Sequence, residues 1–393
     1  MTREMKIMLV ISALFALAMG LSNIFVNIFL WKKSNDFLVV AQYNLMHYIF
    51  VPFTFIAAGW IAKKWNGVWS LRLGIAFFII FFTLILFYKD NIIQYIYPLG
   101  ILFGIAAGFY WLAFHVLSFD STSTGNRDTF NGINGCMIGA ANAAAPIIGA
   151  TIIEKSPNST GYSIVFMCSL ALFVILILIS LLLKTKQYGS RLNFEHIWHS
   201  THSDWTKLRK SIAAWGLRDV VIGFLVSVLI FKTTGSEMSV GKLSLIAAII
   251  SSVACYTQQK LIKPQHRLLS MYLGASFMVL AVVGLTWKIQ YMTLLIFIVL
   301  DAAFIPFFTI PLSSASFNII NKYHEEDLRV EYVINKEIAL NAGRVISTFT
   351  LILLLCFVKY IKTLNYFLLT LGCTQLISIY FLRKLHIWKS EQR

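Results

Sequence analysis

Apolar runs of about twenty residues, each closed by a short polar break, recur along the whole 393-residue chain. A helix needs roughly 20 mostly apolar residues to cross the hydrocarbon core of a bilayer. On that length, spans fall at about 7–30, 37–62, 71–88, 92–117, 133–153 and 162–183. After a polar stretch the pattern resumes at about 212–231, 237–257, 268–286, 290–316, 336–358 and 363–382. A spanning barrel would show alternating segments of about ten residues instead. The pattern predicts an all-α polytopic membrane protein of about 12 transmembrane helices.

Composition removes the soluble alternative. Hydrophobic residues make up 58% of the chain and charged ones 13%, with a mean hydropathy of +0.74. Soluble domains carry about 25% charged residues. So little polar surface leaves function to be built between the helices.

Charge then orients the spans. With the N-terminus inside, the inner segments hold roughly twice as many Lys and Arg as the outer ones, including Lys63, Lys64, Arg72, Arg191, Lys207, Arg209, Arg267 and Arg329. Both termini are expected to be cytoplasmic, in a plasma (inner cell) membrane. The net charge of +16 is spread over short inner loops facing anionic lipid. It lacks the basic block that binds phosphate backbones, so nucleic acid is not an expected partner. Arg3 and Lys6 precede an apolar run too long for a signal peptide. The cysteines, Cys136, Cys168, Cys255, Cys356 and Cys373, all fall in spans without metal-ligand spacing. No cofactor is expected.

A polar segment at 184–211 divides the chain into an N-terminal six-helix bundle, 1–183, and a C-terminal one, 212–393. Weak internal similarity supports a duplication. Arg127 and Phe130 have counterparts in Arg329 and Tyr332, Ala106-Ala107 in Ala302-Ala303, and Lys63-Lys64 near Arg267. Two pseudo-symmetric bundles can rock about a site at their interface and give alternating access.

This six-plus-six arrangement resembles the major facilitator superfamily over nearly the whole chain. The stretches Ser236-Glu237-Met238, Gly241-Lys242 and Tyr332 to Arg344 resemble a poorly characterised bacterial permease group within it. The superfamily's motif between the second and third spans is matched by Gly59, Lys64 and Gly67, with Arg72 following. Lys63 stands where the family has an acidic residue, so the inner gate is expected to latch differently. Drug efflux antiporters carry small residues ending in Gly-Pro and a Gly pair in the fifth span. Here Gly132, Ala141, Ala145-Pro146 and Gly149-Ala150 keep the spacing, with Ala replacing Gly at three places. Pro146 removes a helix hydrogen bond, and small neighbours permit close crossing. The fourth-span Arg common in proton-coupled relatives is missing from Leu99 to Gly108.

Ionisable groups inside a span are costly and therefore functional candidates. The resemblance implies that the first, fourth, seventh and tenth spans line the central cavity. They offer Asn23, Asn27, Tyr110, Trp111, His115, Arg218, Asp219 and Asp301. Asp301, near mid-depth, is the expected coupling residue. A carboxylate there is either paired, with Arg218 or Arg344 available, or protonated. Adjacent on a helix, Arg218 and Asp219 point about 100° apart and reach different neighbours. Glu337, Asn341 and Arg344 form one polar stripe, read with Gly59, Lys63, Lys64, Gly67, Arg72, Pro146 and Gly149 as gate residues. His196, His199 and His202 are spaced as a helix-borne metal site would need, but a solvated loop is the better reading and no metal is expected.

The chain is thus expected to be no enzyme. It is read as a secondary active transporter of a small organic molecule, proton-coupled and exporting lipophilic or cationic compounds as a monomer among membrane lipids. An uptake or facilitated-diffusion permease, a lipid-intermediate flippase and a non-transporting membrane sensor are the alternatives.

Overall fold

The computed structural model describes residues 1–122, 127–157, 160–184, 191–198, 202–357 and 361–388. Among them are thirteen α-helices and no strand. The first half contributes α1 (Arg3–Ser34), α2 (Phe37–Lys64), α3 (Gly67–Phe87), α4 (Ile96–Asp120), α5 (Arg127–Lys155) and α6 (Thr160–Ser180). After the short α7 (Phe194–Trp198) come α8 (Ser203–Thr234), α9 (Glu237–Leu261), α10 (Arg267–Trp287), α11 (Tyr291–Lys322), α12 (Arg329–Phe357) and α13 (Ile361–Leu382). Among the described residues twelve helices are long and apolar enough to cross a membrane.

Two helices start furthest ahead of where the hydropathy pattern places them. α8 begins at Ser203 and α12 at Arg329, because their polar first turns carry large side chains into a core. Trp205, Leu208 and Tyr332 are all essentially buried there.

The central segment also differs from a solvated loop. Ile197 of α7 is fully buried, and its carbonyl accepts from Asn335 Nδ2. Asn335 in turn accepts from Trp205 Nε1 at 2.8 Å. One side chain thereby stitches α7, α8 and α12 together. His196 and His202 converge on Glu325 rather than on a metal, and His199 lies outside the described residues. Among the described residues no group of three or more His, Cys, Asp or Glu is arranged to hold a metal ion.

The chain divides into two compact units, Met1–Asn193 with Ser236–Leu245, and Phe194–Gly235 with Ile246–Arg393. In the first, α4 packs on α2 through Gly100, Gly104 and Gly108. A Cβ on any of them would strike the Tyr43 carbonyl, the His47 carbonyl or Thr54. Small residues also let α5 approach α1, since a Cβ on Gly20 would lie 2.8 Å from Ala145 Cβ and one on Gly149 2.7 Å from Phe25.

Each unit repeats one local construction. Ser70 donates to the Phe109 carbonyl at 3.2 Å, and Gly74 abuts the backbone of Tyr110. In the second unit Ser270 donates to the Phe307 carbonyl at 2.8 Å, and Gly274 abuts the backbone of Phe308. Phe130 and Tyr332, at matching places in α5 and α12, are both 1% exposed. The protein has the fold of two pseudo-symmetric six-helix bundles.

Candidate transport site

The second unit gathers its intramembrane charges into one cluster. Arg218 and Asp219 sit side by side on α8 and point to different helices. Arg218 Nη2 donates to Asp301 of α11, while Asp219 Oδ2 accepts from Arg344 Nη2 of α12 at 2.6 Å. Asn341, fully buried, joins the α12 members. Its side-chain amide donates to the Glu337 carboxylate at 3.2 Å, and its oxygen accepts from Arg344 Nη1 at 3.4 Å. Lys336 and Glu337 are two further ionisable side chains on the same helix, both partly buried.

Backbone proximity makes this clustering possible. Where α8 crosses α12, a Cβ on Gly216 would run into the Leu340 carbonyl and one on Gly343 into the Ala213 carbonyl. The glycines let two polar helices touch, so Asp219, one turn beyond Gly216, meets Arg344, which follows Gly343 directly.

Burial is uneven across the cluster. Arg218 is 2% exposed, whereas the Asp219 side chain is 30% exposed. The Arg218 guanidinium lies 5.7 Å from the Trp215 ring, which stacks on Phe308 at 5.1 Å. In a low-dielectric interior an isolated ion would neutralise itself, and only a close, hydrogen-bonded partner holds it charged. Removing one member of such a pair costs about 3–5 kcal/mol because the other is stranded.

The cavity residues expected in the first unit fall into two groups. Asn27 and Asn44 join α1 to α2 by a 2.7 Å bond between their side chains, and Tyr48 donates to Asn44 at 3.2 Å. Asn23 is exposed and contributes its carbonyl to Asn27. Tyr110 is buried and stacked on Phe15 at 3.4 Å, a packing role. Trp111 and His115 stand exposed one turn apart on α4, ring centres 6.4 Å from each other. The stacked pair fixes Trp111, which meets Phe15 edge-on.

The gate candidates are held by helix ends and indoles. Lys64 lies 4.5 Å over Trp60 and 5.6 Å from Trp65, and Arg72 Nη2 donates to the Ser180 carbonyl at 3.2 Å. Gly59 is buried, Lys63 half-buried, and a Cβ on Gly67 would press on Leu117. Pro146 sits buried inside a continuous α5, beside Gly149. A Cβ on Gly241, at the head of α9, would lie 3.0 Å from the Pro146 carbonyl.

Sequence reading missed a polar contact at that same head. Glu237, 8% exposed, accepts from Lys32 Nζ at 2.9 Å and from the Tyr162 hydroxyl at 2.7 Å. These groups stand at the ends of three different spans, 75 and 205 residues apart in sequence. The capping-type acid at the first turn of α9 was the available signal.

Among the described residues, twelve membrane-length helices in two similar bundles, with ion pairs inside one of them, have the architecture of a membrane transporter. The chain belongs to the Major Facilitator Superfamily, whose sequence model matches residues 8–331. The uncharacterised protein YqgE of Bacillus subtilis is 32% identical over 98% of this chain and 90% of its own. Among solved structures, a bacterial homologue of the iron transporter ferroportin in its inward-facing state aligns with TM-score 0.72 at 14% identity, covering 99% of both chains. A point mutant of the nucleoside transporter NupG aligns with TM-score 0.73 at 9% identity over both whole chains.

Proposed function

We propose that the protein is a proton-coupled secondary transporter of a small organic molecule, working by alternating access as a monomer in the cell membrane with both termini cytoplasmic. The observation that carries this reading is the buried pair of Arg218 and Asp301, joining α8 to α11. A proton on Asp301 cancels one side of the pair and frees the other. Occupancy of one carboxyl thus biases how two helices pack, which is what coupling requires.

Lipophilic cargo is supported by the small-residue run around Pro146 and by the exposed Trp111. Iron and nucleosides are the cargo named for the structural neighbours, but at such low identity those likenesses speak for the fold alone. Efflux needs proton and cargo to move in opposite directions, and uptake needs them to move together.

The test is reconstitution into liposomes with an internal pH dye and an imposed proton gradient. Compound-dependent proton flux, absent in Asp301→Asn, supports coupling. Compound flux with no proton movement makes the protein a uniporter or a lipid flippase.

A further inference from the structure

The charge balance of the second unit's cluster bears on the cargo, and this step rests on the coupling role proposed for Asp301. Two ion pairs, Arg218 with Asp301 and Arg344 with Asp219, balance each other in charge. Asp219 is engaged by Arg344 and Glu337 by Asn341, so Asp301 is the acidic partner of Arg218. Arg218 is almost wholly buried, and its Nε makes no hydrogen bond.

The two members of that pair are not equivalent. A stranded Asp301 can discharge itself by taking a proton, whereas a guanidinium cannot lose one inside a protein. A cationic cargo seated on Asp301 would therefore leave Arg218 charged and buried without its hydrogen-bonded partner, with Asp219 already engaged by Arg344. An anionic cargo seated on Arg218 leaves only a carboxylate, which a proton neutralises.

We infer that the cargo carries an anionic group, a carboxylate or a phosphate, which takes Arg218 while Asp301 takes up one proton. The balance is simple. The Arg218–Asp301 ion pair breaks, an Arg218–anion pair forms, and the proton ends on Asp301, so the site stays neutral for a singly charged cargo. Anion and proton then cross together, and an inward proton gradient drives uptake. That is opposite to the direction expected from the likeness to efflux antiporters.

Binding to the purified full-length protein tests this without requiring turnover. The probes are benzoate, phenyl phosphate, tetraphenylphosphonium and uridine, followed by titration calorimetry in detergent. In the wild type, Arg218 is occupied by Asp301, which weakens any anion by the fraction of Arg218 that is free. Asp301→Asn removes that competitor. Benzoate or phenyl phosphate should bind it at least ~tenfold more tightly than wild type, with the pH dependence lost. Arg218→Gln should abolish the binding and Arg218→Lys should restore part of it, with thermal unfolding checking that each variant is folded.

No gain of anion affinity in Asp301→Asn overturns the inference. So does tetraphenylphosphonium binding that Asp301→Asn removes. Proton flux driven by tetraphenylphosphonium and lost in Asp301→Asn would keep the coupling role and overturn the anion. Tighter anion binding in Asp301→Asn without proton flux in the wild type would do the reverse.

Discussion

Gly216 of α8 and Gly343 of α12 face each other at the crossing that brings the charged stretches of these helices together. A Cβ on Gly343 would lie 2.9 Å from the Gly216 carbonyl carbon and 2.8 Å from Leu217 N. Nothing there is the far end of a flexible side chain, so the helices themselves must part. Gly343→Ala should destabilise the protein by about 1–3 kcal/mol, as overpacking does. It should also weaken the 2.6 Å Asp219–Arg344 pair, whose arginine is the next residue. Thermal unfolding in detergent measures the first effect. An unchanged melting temperature would mean that the crossing is looser than its backbone contacts imply.

Tyr110 and Trp111 are neighbours with opposite fates. Tyr110 is 1% exposed and stacked on Phe15, whereas Trp111 is 40% exposed. Tyr110→Ala should cost about 3–5 kcal/mol of stability, the usual range for emptying a buried aromatic site. Trp111→Ala should cost under about 1 kcal/mol and act instead on substrate affinity. Equal melting temperatures for the two variants would contradict this division.

Lys32 and Tyr162 both reach the Glu237 carboxylate, so their deletions should not add. In a double-mutant cycle, Lys32→Met and Tyr162→Phe should show coupling of about 1 kcal/mol, within the range for residues in one network. Additive losses would show that the contacts act independently.

Glu325, between α11 and α12, links stability to pH. Burial pushes its carboxyl up, but the Tyr332 hydroxyl, His202 and His196 more than offset this and hold it below the ordinary carboxylate range. A carboxyl lowered in the folded state stabilises fully above its unfolded value, about 4.3. The contribution disappears as pH falls through the lower folded value. Glu325→Gln should therefore melt below wild type at pH 5–7, and the gap should narrow only once the pH drops under about 4. A gap that is constant down to pH 3 would contradict this linkage.

Much of the architecture was legible because lipid imposes one dominant rule, an apolar run long enough to span. The intramembrane charges were legible for the same reason, since Arg218, Asp219, Asp301 and Arg344 stand out within apolar surroundings. Their pairing was not, because Arg218 and Asp301 are 83 residues apart and only packing decides which helices meet. Helix starts were missed where polar turns bury aromatic side chains, as at Trp205 and Tyr332. Scattered pairs show the duplication weakly, while Ser70-Leu71-Arg72-Leu73-Gly74 and Ser270-Met271-Tyr272-Leu273-Gly274 carry it more directly. Those two segments make the same serine bond and the same glycine contact in their own units. The glycine ladder of α4, spaced by fours, was equally readable as a close-packing face.

The most direct test of coupling separates binding from proton movement in Asp301→Asn. Reconstituted protein would be assayed twice with one radiolabelled substrate, by counterflow without any gradient and by accumulation under an imposed proton gradient. Coupling through Asp301 requires that the variant keep counterflow and lose gradient-driven accumulation. Accumulation at the wild-type level in Asp301→Asn would contradict it and return the Arg218–Asp301 pair to a purely structural role.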